Sequence, residues 1–381
     1  MKFCTKCLYP DTKPQLGFDQ SGVCNACKNF EWKETVNWDE KRKELEKILE
    51  KYRNKDGKRY DCIIPVSGGK DSHYQTYVIK KEFGLNPLLV NFHPFDFTEV
   101  GRKNIENIKT LGVDCVEFTP NPIIYKKLAK FGLMELGDYQ WPEHIGIFTV
   151  PVQIAVRYKI PLIIWGENPQ LEYGGPDTAS RSPYLNREWT EKHGGYFLDK
   201  IRPEDMTKQG IELKDLKPYL YPSDEEIRSV GVTGIFLGNY IKWDIFKQLE
   251  VVKKIGFNLN PELKEGTYDD WENLDVKFTV FHDYFKFLKY GFGRATDHAS
   301  LEIRYKRLTR EEGLKLVKQY EGKIPTKYLQ EFLNQAEVSE EEFHQICDKF
   351  TNKDLFKKDI NGNLLKDKDG NLEKIMYDNP S

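Results

Sequence analysis

The chain has 381 residues, and 58 Lys and Arg against 60 Asp and Glu give a formal net charge of −2. This balance argues against a protein that covers a long nucleic acid, which requires a basic surface. A hydrophobic content of 39% excludes global disorder, and no apolar run approaches the roughly 20 residues of a membrane span. Because the start also has no apolar signal segment, we expect a soluble, cytoplasmic protein that binds neither nucleic acid nor membrane.

Four of the seven cysteines form two Cys-x-x-Cys pairs within the first 30 residues. The pairs are Cys4 with Cys7 and Cys24 with Cys27. Each pair can hold a tetrahedral ion from a tight turn, so this spacing predicts a zinc site. Four thiolates leave no open position, and we therefore expect a structural zinc; an iron–sulfur cluster or a redox pair is the alternative.

Downstream of a predicted helix over 38–58, strands alternate with helices. The predicted strands are Asp61–Val66, Pro87–Phe92, Asp114–Phe118 and Pro161–Trp165, and the predicted helices span 72–83, 100–111, 123–136 and 151–158. This alternation predicts an α/β domain with a parallel sheet covered by helices.

The rest of the chain divides by composition. Residues 166–200 are polar and rich in Gly and Pro, which is typical of a lid, a binding loop or a disordered segment. Most of the remainder has helical patterns, and the apolar stretch 230–241 is interpreted as buried. Turn signals at 361–362 and 369–370 predict a small hairpin. The predicted units are a cysteine module (1–30), a linker helix (31–59), an α/β domain (60–205) and a mostly helical C-terminal region for substrate or partner binding (206–381).

The segment Ser67-Gly-Gly-Lys-Asp-Ser72 lies between a predicted buried strand and a helix. Gly68 and Gly69 let backbone N–H groups approach an anion, and the following helix adds its positive dipole end. The hydroxyls of Ser67 and Ser72 are further donors, and Lys70 supplies a full charge. Asp71 is unusual in a phosphate-binding turn unless a magnesium ion or the geometry of the loop requires a carboxylate. The alternative is an ordinary strand-to-helix turn capped by Ser and Asp, but the whole hexapeptide favours phosphate binding.

This hexapeptide resembles the pyrophosphate loop of the PP-loop ATP pyrophosphatases. The resemblance covers about 61–165 and implies a doubly wound parallel sheet. It also implies an enzyme that cleaves ATP between its α and β phosphates, adenylylates an acceptor oxygen, and lets a nucleophile such as ammonia displace AMP. ATP and Mg²⁺ are the implied cofactors.

A third motif, Tyr290-Gly-Phe-Gly-Arg-Ala-Thr-Asp-His-Ala-Ser-Leu-Glu-Ile-Arg304, combines two glycines with many polar groups. Its residues alone are equally compatible with a charged helix N-terminus. Together with the cysteine module and Trp165-Gly-Glu-Asn-Pro-Gln170, however, the block resembles the N-acetyl sugar amidotransferases of bacterial surface-polysaccharide, O-antigen lipopolysaccharide and flagellin-glycan (pseudaminic acid) biosynthesis. That resemblance covers nearly the whole chain and implies conversion of an acetamido to an acetamidino group on a sugar, which is nucleotide-linked in some members.

The resemblance and the strand ends together predict the roles of individual residues. Catalysis is assigned to Lys70, Asp71 and Glu167, the last as a magnesium ligand or as the group that orients ammonia. The predicted ATP-binding residues are Ser67, Gly68, Gly69, Lys70, Asp71, Ser72, Val90, Asn91 and Gly166, with 90–91 at the adenine. The predicted substrate residues are His93, Arg294, Asp297, His298 and Arg304. His73 and His144 are interpreted as single structural histidines.

The remaining cysteines bear on the source of ammonia and on the alternatives. Cys62 lies in a predicted buried strand, while Cys115 and Cys347 stand apart from the other cysteines. Because a glutaminase needs an activated nucleophile, we expect a separate glutaminase subunit to supply ammonia. A tRNA-modifying thiolation enzyme is the main alternative function, and such enzymes usually need internal catalytic cysteines. A non-catalytic ATP-binding regulator is compatible with the fold alone.

Overall fold

The fold is built around a five-stranded parallel sheet, seen in a computed structural model that describes residues 1–93, 95–194, 201–262 and 265–375. The strands are β1 (Cys62–Pro65), β2 (Pro87–Phe92), β3 (Asp114–Phe118), β4 (Leu162–Trp165) and β5 (Thr233–Phe236). Their order is β3-β2-β1-β4-β5 and every pairing is parallel. From β1 the chain adds β2 and β3 on one side of the sheet and then β4 and β5 on the other, so the strand order switches between β1 and β4. This is the arrangement of doubly wound sheets, and the predicted fold class is confirmed.

The strands are short apolar runs because both faces of the sheet are covered. In β1, Ile63 packs into the hydrophobic cluster on one face, whereas Cys62 and Ile64 pack into the cluster on the other. Leu88 and Leu89 of β2 divide between the two faces in the same way. Side chains that alternate between two buried faces explain why these segments lack a polar period.

The fifth strand, β5, is missing from the sequence prediction, which interpreted 230–241 only as buried. Gly234 makes this strand hard to predict from sequence, since glycine is a poor strand former. The structure shows its reason: a Cβ at Gly234 would lie 2.4 Å from the carbonyl oxygen of Leu185, whose N–H donates to the carbonyl of Gly234. Because β5 completes the sheet, the predicted boundary at residue 205 cuts through it.

Helices cover both faces and build the C-terminal region. They are α1 (Asn25–Thr35), α2 (Trp38–Tyr52), α3 (Lys70–Tyr77), α4 (Glu99–Lys109), α5 (Pro122–Phe131), α6 (Trp141–Tyr158), α7 (Pro169–Glu172), α8 (Asp177–Ser180), α9 (Arg187–His193), α10 (Asp224–Val230), α11 (Ile245–Lys254), α12 (Thr279–Tyr290), α13 (Arg294–Arg304), α14 (Arg310–Tyr320), α15 (Leu329–Ala336) and α16 (Glu340–Phe350). Single π-helical turns extend α3 and α5, and short 3₁₀ turns occur near residues 203, 217, 237 and 353. None of the helices in the described ranges is both long and apolar enough to cross a bilayer.

Several predicted helix limits change. The predicted helix 38–58 ends at Tyr52, and α1 was not predicted. The predicted helix 151–158 is the second half of α6, which carries Pro151 in its interior. The segment 166–200 was predicted as a lid, a binding loop or disorder, yet up to residue 194 it holds α7, α8 and α9; residues 195–200 lie outside the described residues. The tail does fold back on itself, through antiparallel bridges such as Lys358 with Leu364.

The cysteine module is packed against the C-terminal region. Leu8 joins a small hydrophobic cluster with Ala295 and Ala299 of α13, and the four cysteines cluster with Phe292. On its other side, α1 continues beyond the module, and Lys33 of this helix donates to both carboxylate oxygens of Glu172 in α7, at 2.7 and 2.8 Å. Both side chains of this ion pair are almost fully buried. The module therefore connects α7, just after β4, to α13.

Candidate active site

The turn between β1 and α3 is held by its own hydroxyl groups. The Ser67 N–H donates to the Ser72 hydroxyl at 2.9 Å, and the Gly69 N–H donates to the Ser67 hydroxyl at 3.2 Å. Gly68 has a φ of +95°, and a Cβ there would lie 3.0 Å from the Ile105 side chain. Only glycine fits this left-handed and crowded position without strain. The sequence therefore forms a rigid turn at the N-terminus of α3.

A cavity of about 240 Å³ opens where β1, β2, β4 and β5 end. Seven of the predicted catalytic and ATP-binding residues line it: Ser67, Asp71, Ser72, Val90, Asn91, Gly166 and Glu167. Ligands of open α/β sheets bind at the carboxyl ends of strands beside the point where strand order reverses, and this cavity occupies that place. Gly68, Gly69 and Lys70 do not line it.

Lys70, which the sequence predicts to supply a charge to phosphate, is buried. Its side chain is only 2% exposed, and its ammonium lies 2.6 Å from Asp71 Oδ2 and 2.6 Å from Glu272 Oε1. Burial by itself lowers the pKa of Lys70, but the charges of Asp71 and Glu272 raise it overall. Lys70 is therefore a buried cation that holds two carboxylates together, and its contact with phosphate stays a prediction.

Three carboxyl groups gather around this lysine. Burial raises the pKa of Glu167, and the charge of Asp71 raises it further, against the opposing effect of Lys70. Burial also raises the pKa of Asp71. Burial would raise the pKa of Glu272 as well, but the charges of Lys70, His298 and Arg294 lower it overall. Asp71 Oδ1 is buried and has no hydrogen-bond partner among the described residues.

These carboxyl groups fit a divalent cation. Mg²⁺ is bound in proteins through one or two carboxylates together with substrate phosphates. Asp71 offers an unpaired oxygen, and Glu167 lines the same cavity as the turn at Ser67. A bound cation would offset both the burial and the charge of Asp71, which together raise the pKa of Glu167. Asp71 and Glu167 are thus the side chains that suit a magnesium ion.

One side of the cavity is aromatic. Phe148, Trp165, Trp189 and Phe236 line it together with Val90. Asn91 donates its amide to the Val66 carbonyl at 2.8 Å, while its amide oxygen is buried and unpaired within the described chain. An apolar, aromatic surface with one free amide oxygen suits a planar base that carries an amino group.

Sequence reasoning missed several residues of this site. Glu143 in α6 and Asp275 and Val276 of the C-terminal region line the cavity, and Glu272 binds Lys70. Burial raises the pKa of Glu143, and the charges of Asp96 and Asp275 raise it further. These residues belong to no motif and come together only because α6 and the C-terminal region pack on the sheet, so no local sequence signal identifies them.

The predicted substrate residues fall into different surroundings. His93 donates its backbone N–H to the Phe118 carbonyl and stacks on Phe97, which lines the cavity. Arg294 lies 3.4 Å from Asp283, and its charge is one of those that lower the pKa of Glu272. His298 is buried against Asp269, 2.6 Å away. None of the predicted substrate residues is among those that line the cavity of the described structure.

Asp297 and Arg304 contact the cysteine module instead. Tyr9 donates its hydroxyl to Asp297 Oδ1 at 2.9 Å, and Lys286 lies 2.6 Å from the other carboxylate oxygen. The Arg304 guanidinium lies 5.5 Å from the centre of the Tyr9 ring and donates to the Glu172 carbonyl at 3.0 Å. These contacts give both residues a structural function at this junction, and their part in sugar binding stays a prediction.

The four cysteines of the module come together as their spacing predicts. Their sulfur atoms lie within 4.8 Å of one another, with 3.8 Å between Cys4 and Cys27 and 3.6 Å between Cys7 and Cys24. Zn–S bonds of about 2.3 Å at tetrahedral angles require sulfurs about 3.8 Å apart. All four side chains are buried. The donor set and its geometry fit a closed tetrahedral metal site.

Comparisons with known proteins reach parts of the chain. Residues 265–367 match the family described as LPS biosynthesis protein WbpG-like, C-terminal domain. An uncharacterized protein of Methanocaldococcus jannaschii is 35% identical over 88 residues, which are 23% of this chain and 31% of that relative. Among solved structures, NMN synthetase from Francisella tularensis is 15% identical with a TM-score of 0.32, and the match covers 71% of this chain and 94% of the synthetase chain. The family match thus covers the region that brings Glu272 and Asp275 to the site.

Proposed function

We propose that this chain is an ATP-dependent amidotransferase that converts the acetamido group of a sugar to an acetamidino group. The acetamido oxygen attacks the α-phosphorus of ATP and pyrophosphate leaves, which forms an O-adenylyl imidate with loss of the amide proton. Ammonia then adds to the imidate carbon, and AMP departs with the former acetamido oxygen. Bond making and bond breaking balance in both steps without an oxidant or a reductant.

One observation carries the proposal: Ser67, Asp71 and Ser72 of the turn line one cavity with the ends of β2 and β4, at the switch of strand order. In this arrangement, Val90 and Asn91 contact the base and the backbone N–H groups at the start of α3 contact the phosphates. Such preorganised donors stabilise charge that develops on a transferring phosphoryl group. Mg²⁺, which Asp71 and Glu167 are suited to hold, supplies further charge neutralisation on the phosphates when bound.

The wall formed by the C-terminal region supports a sugar acceptor. Asp275 and Val276 lie within the segment that matches a family of LPS biosynthesis proteins, and both line the cavity. Glu143 faces the same cavity from α6. Carboxyl groups accept hydrogen bonds from hydroxyls, so we place the sugar between Glu143 and Asp275, next to the phosphates. Arg294 does not line this wall; its charge, after those of Lys70 and His298, lowers the pKa of the buried Glu272, which pairs with Lys70.

The alternative of a tRNA thiolation enzyme needs a reactive cysteine at the site. Cys62 is fully buried in β1, and burial raises its pKa. Burial is also the main cause that raises the pKa of Cys115 to about 11 and the pKa of Cys347 above the usual range. Because thiolates are the reactive form, these cysteines are poor nucleophiles. We therefore favour the amidotransferase.

The same thiols predict the source of ammonia. We expect the purified chain with ATP, Mg²⁺ and an N-acetylated sugar to form AMP with ammonium salts and to fail with glutamine, since no cysteine here is activated for glutamine hydrolysis. AMP and pyrophosphate release would be measured over a panel of free and nucleotide-linked N-acetyl sugars. A separate glutaminase subunit should restore activity with glutamine. Glutamine-dependent turnover by the isolated chain would refute this.

The cysteine module should bind one zinc ion per chain and take no part in the chemistry. We expect Cys24→Ser to lose the zinc and to destabilise the junction with α13, because metal binding is coupled to the folding of so small a module. Zinc content would be measured by elemental analysis. The matched control is Cys347→Ser, a buried cysteine outside the module, which should keep the full metal complement. A Cys24→Ser protein that retains all its zinc would contradict the assignment.

A further inference from the structure

A second group of potential ligands lies between the sheet domain and the C-terminal region. Asp138 belongs to the turn before α6, His144 to the first turns of α6, and His282 to the first turns of α12. Asp138 Oδ1 lies 2.9 Å from His282 Nδ1, and Asp138 Oδ2 lies 3.5 Å from His144 Nδ1. One ligand atom from each residue lies within 4.8 Å of the others. The two imidazole rings are 4.9 Å apart and nearly perpendicular.

The surroundings of this group resemble those of a built metal site. The carboxylate of Asp138 is buried, and the Gln140 N–H donates to its Oδ1 at 3.0 Å, which fixes the orientation of the group. A hydrogen bond from the protein to a ligating carboxylate is typical of metal centres. His144 and His282 are 32% and 27% exposed. An ion can therefore enter from solvent, and a water molecule can complete its coordination.

The ligand types select the class of metal. Two imidazole nitrogens and one carboxylate oxygen suit a divalent transition ion such as zinc or cobalt, whereas magnesium and calcium prefer oxygen ligands alone. Three protein ligands leave one position open in a tetrahedral site. Without a metal, the group is a small polar network in which each ring pairs with a different oxygen of the Asp138 carboxylate. The convergence of both Nδ1 atoms on that carboxylate favours a shared cation.

We propose that Asp138, His144 and His282 bind a divalent transition-metal ion, with solvent in the remaining position. The ion ties α6 of the sheet domain to α12 of the C-terminal region. Its position is next to the candidate active site, because His144 directly follows Glu143, which lines the cavity. The consequence is that this metal fixes the wall on which Glu143 stands and keeps the two parts of the chain together.

Cobalt binding tests the proposal on the full chain. After a chelator strips weakly held metal, the protein is titrated with Co²⁺, and bound metal is counted after desalting. Binding at this site should add one equivalent with visible ligand-field bands and no thiolate-to-cobalt charge-transfer band. A charge-transfer band reports the cysteine module separately, so the failure of one site does not hide the other.

Two conservative variants locate the ion. Asp138→Asn and His144→Gln should each lose the additional equivalent while their circular dichroism stays that of the parent. His344→Gln is the control, since His344 is a half-exposed histidine beside a carboxylate, Glu340, on α16. It should bind as much cobalt as the parent. A parent chain that takes up no cobalt beyond the cysteine module, or folded variants that keep the extra equivalent, would overturn the proposal.

Discussion

Asp71→Asn should lower ATP-dependent AMP formation by about a hundredfold or more, the loss expected when one charge-stabilising group is removed from a phosphoryl-transfer site. Asp71 lines the cavity, and its Oδ1 is buried without a partner in the described chain. The amide keeps the size of the side chain but removes the charge that suits a magnesium ion. The measurement is pyrophosphate release under saturating ATP, with the thermal stability of both proteins recorded beside it.

The matched control is Asp39→Asn. Asp39 also lies in the first turn of a helix, α2, but it does not line the cavity. This variant should keep its full rate, so a loss confined to Asp71→Asn separates catalysis from helix capping. A near-parental rate for Asp71→Asn would contradict the assignment of the turn 67–72 to the active site.

Lys70 needs a different test because it is buried. The sequence predicts that Lys70→Ala abolishes turnover and leaves the fold intact. In the structure this change leaves Asp71 and Glu272 close together without their cation, and uncompensated buried charge destabilises a fold. We therefore expect Lys70→Ala to lose both activity and stability.

The second large effect concerns stability. Lys33→Met should lower the free energy of unfolding by about 3–5 kcal/mol, the range for breaking a buried ion pair. The side chains of Lys33 and Glu172 are 1% and 5% exposed, and the Lys33 ammonium also donates to the Trp243 carbonyl at 3.0 Å. Removing the lysine leaves the Glu172 carboxylate buried without a counter-charge. Denaturant unfolding of the zinc-loaded protein measures the change.

A neighbouring pair is the control. Glu34, next to Lys33 on α1, pairs with Lys242 at 2.9 Å in a partly exposed position. Lys242→Met should cost no more than about 1 kcal/mol, the usual value of a surface pair. The double change Lys33→Met with Glu172→Leu should recover most of the lost stability, since an apolar pair replaces a buried ion pair at little cost. Equal effects of Lys33→Met and Lys242→Met would contradict the buried-pair interpretation.

Local chemistry explains which parts of the fold the sequence predicts. Four strands, the cysteine cluster and the turn 67–72 each depend on neighbours in sequence, and all of them form in the structure. Strand β5 was not predicted because it contains Gly234. This glycine is required by the close approach of the Leu185 backbone, which is far away in sequence. The long helix α6 escapes prediction for a similar reason. A proline inside a helix resembles a helix start when the supporting packing is unknown.

The residues of the site likewise divide into those that strand positions predict and those that only tertiary packing brings in. Asn91 lies one residue before the end of β2, and Asp71 and Glu167 come after β1 and β4. The rule that parallel strands present their carboxyl ends at one edge brings these three residues together. Glu143, Glu272 and Asp275 have no such rule, since the position of Glu143 depends on how α6 packs and that of the other two on how the C-terminal region packs. His144 was interpreted as a lone histidine, but Asp138 and His282 lie beside it. Residues that meet only through tertiary packing have no characteristic spacing in the sequence, so a sequence pattern does not reveal them.

The fate of the acetamido oxygen decides whether an adenylylated sugar intermediate forms. An N-acetyl sugar that turns over is labelled with ¹⁸O in the acetamido carbonyl and incubated with the chain, ATP, Mg²⁺ and ammonium. Because that oxygen attacks the α-phosphorus and later leaves with AMP, mass spectrometry should find the label in AMP and none in pyrophosphate. AMP free of label, or label in inorganic phosphate, would contradict an adenylylated sugar intermediate.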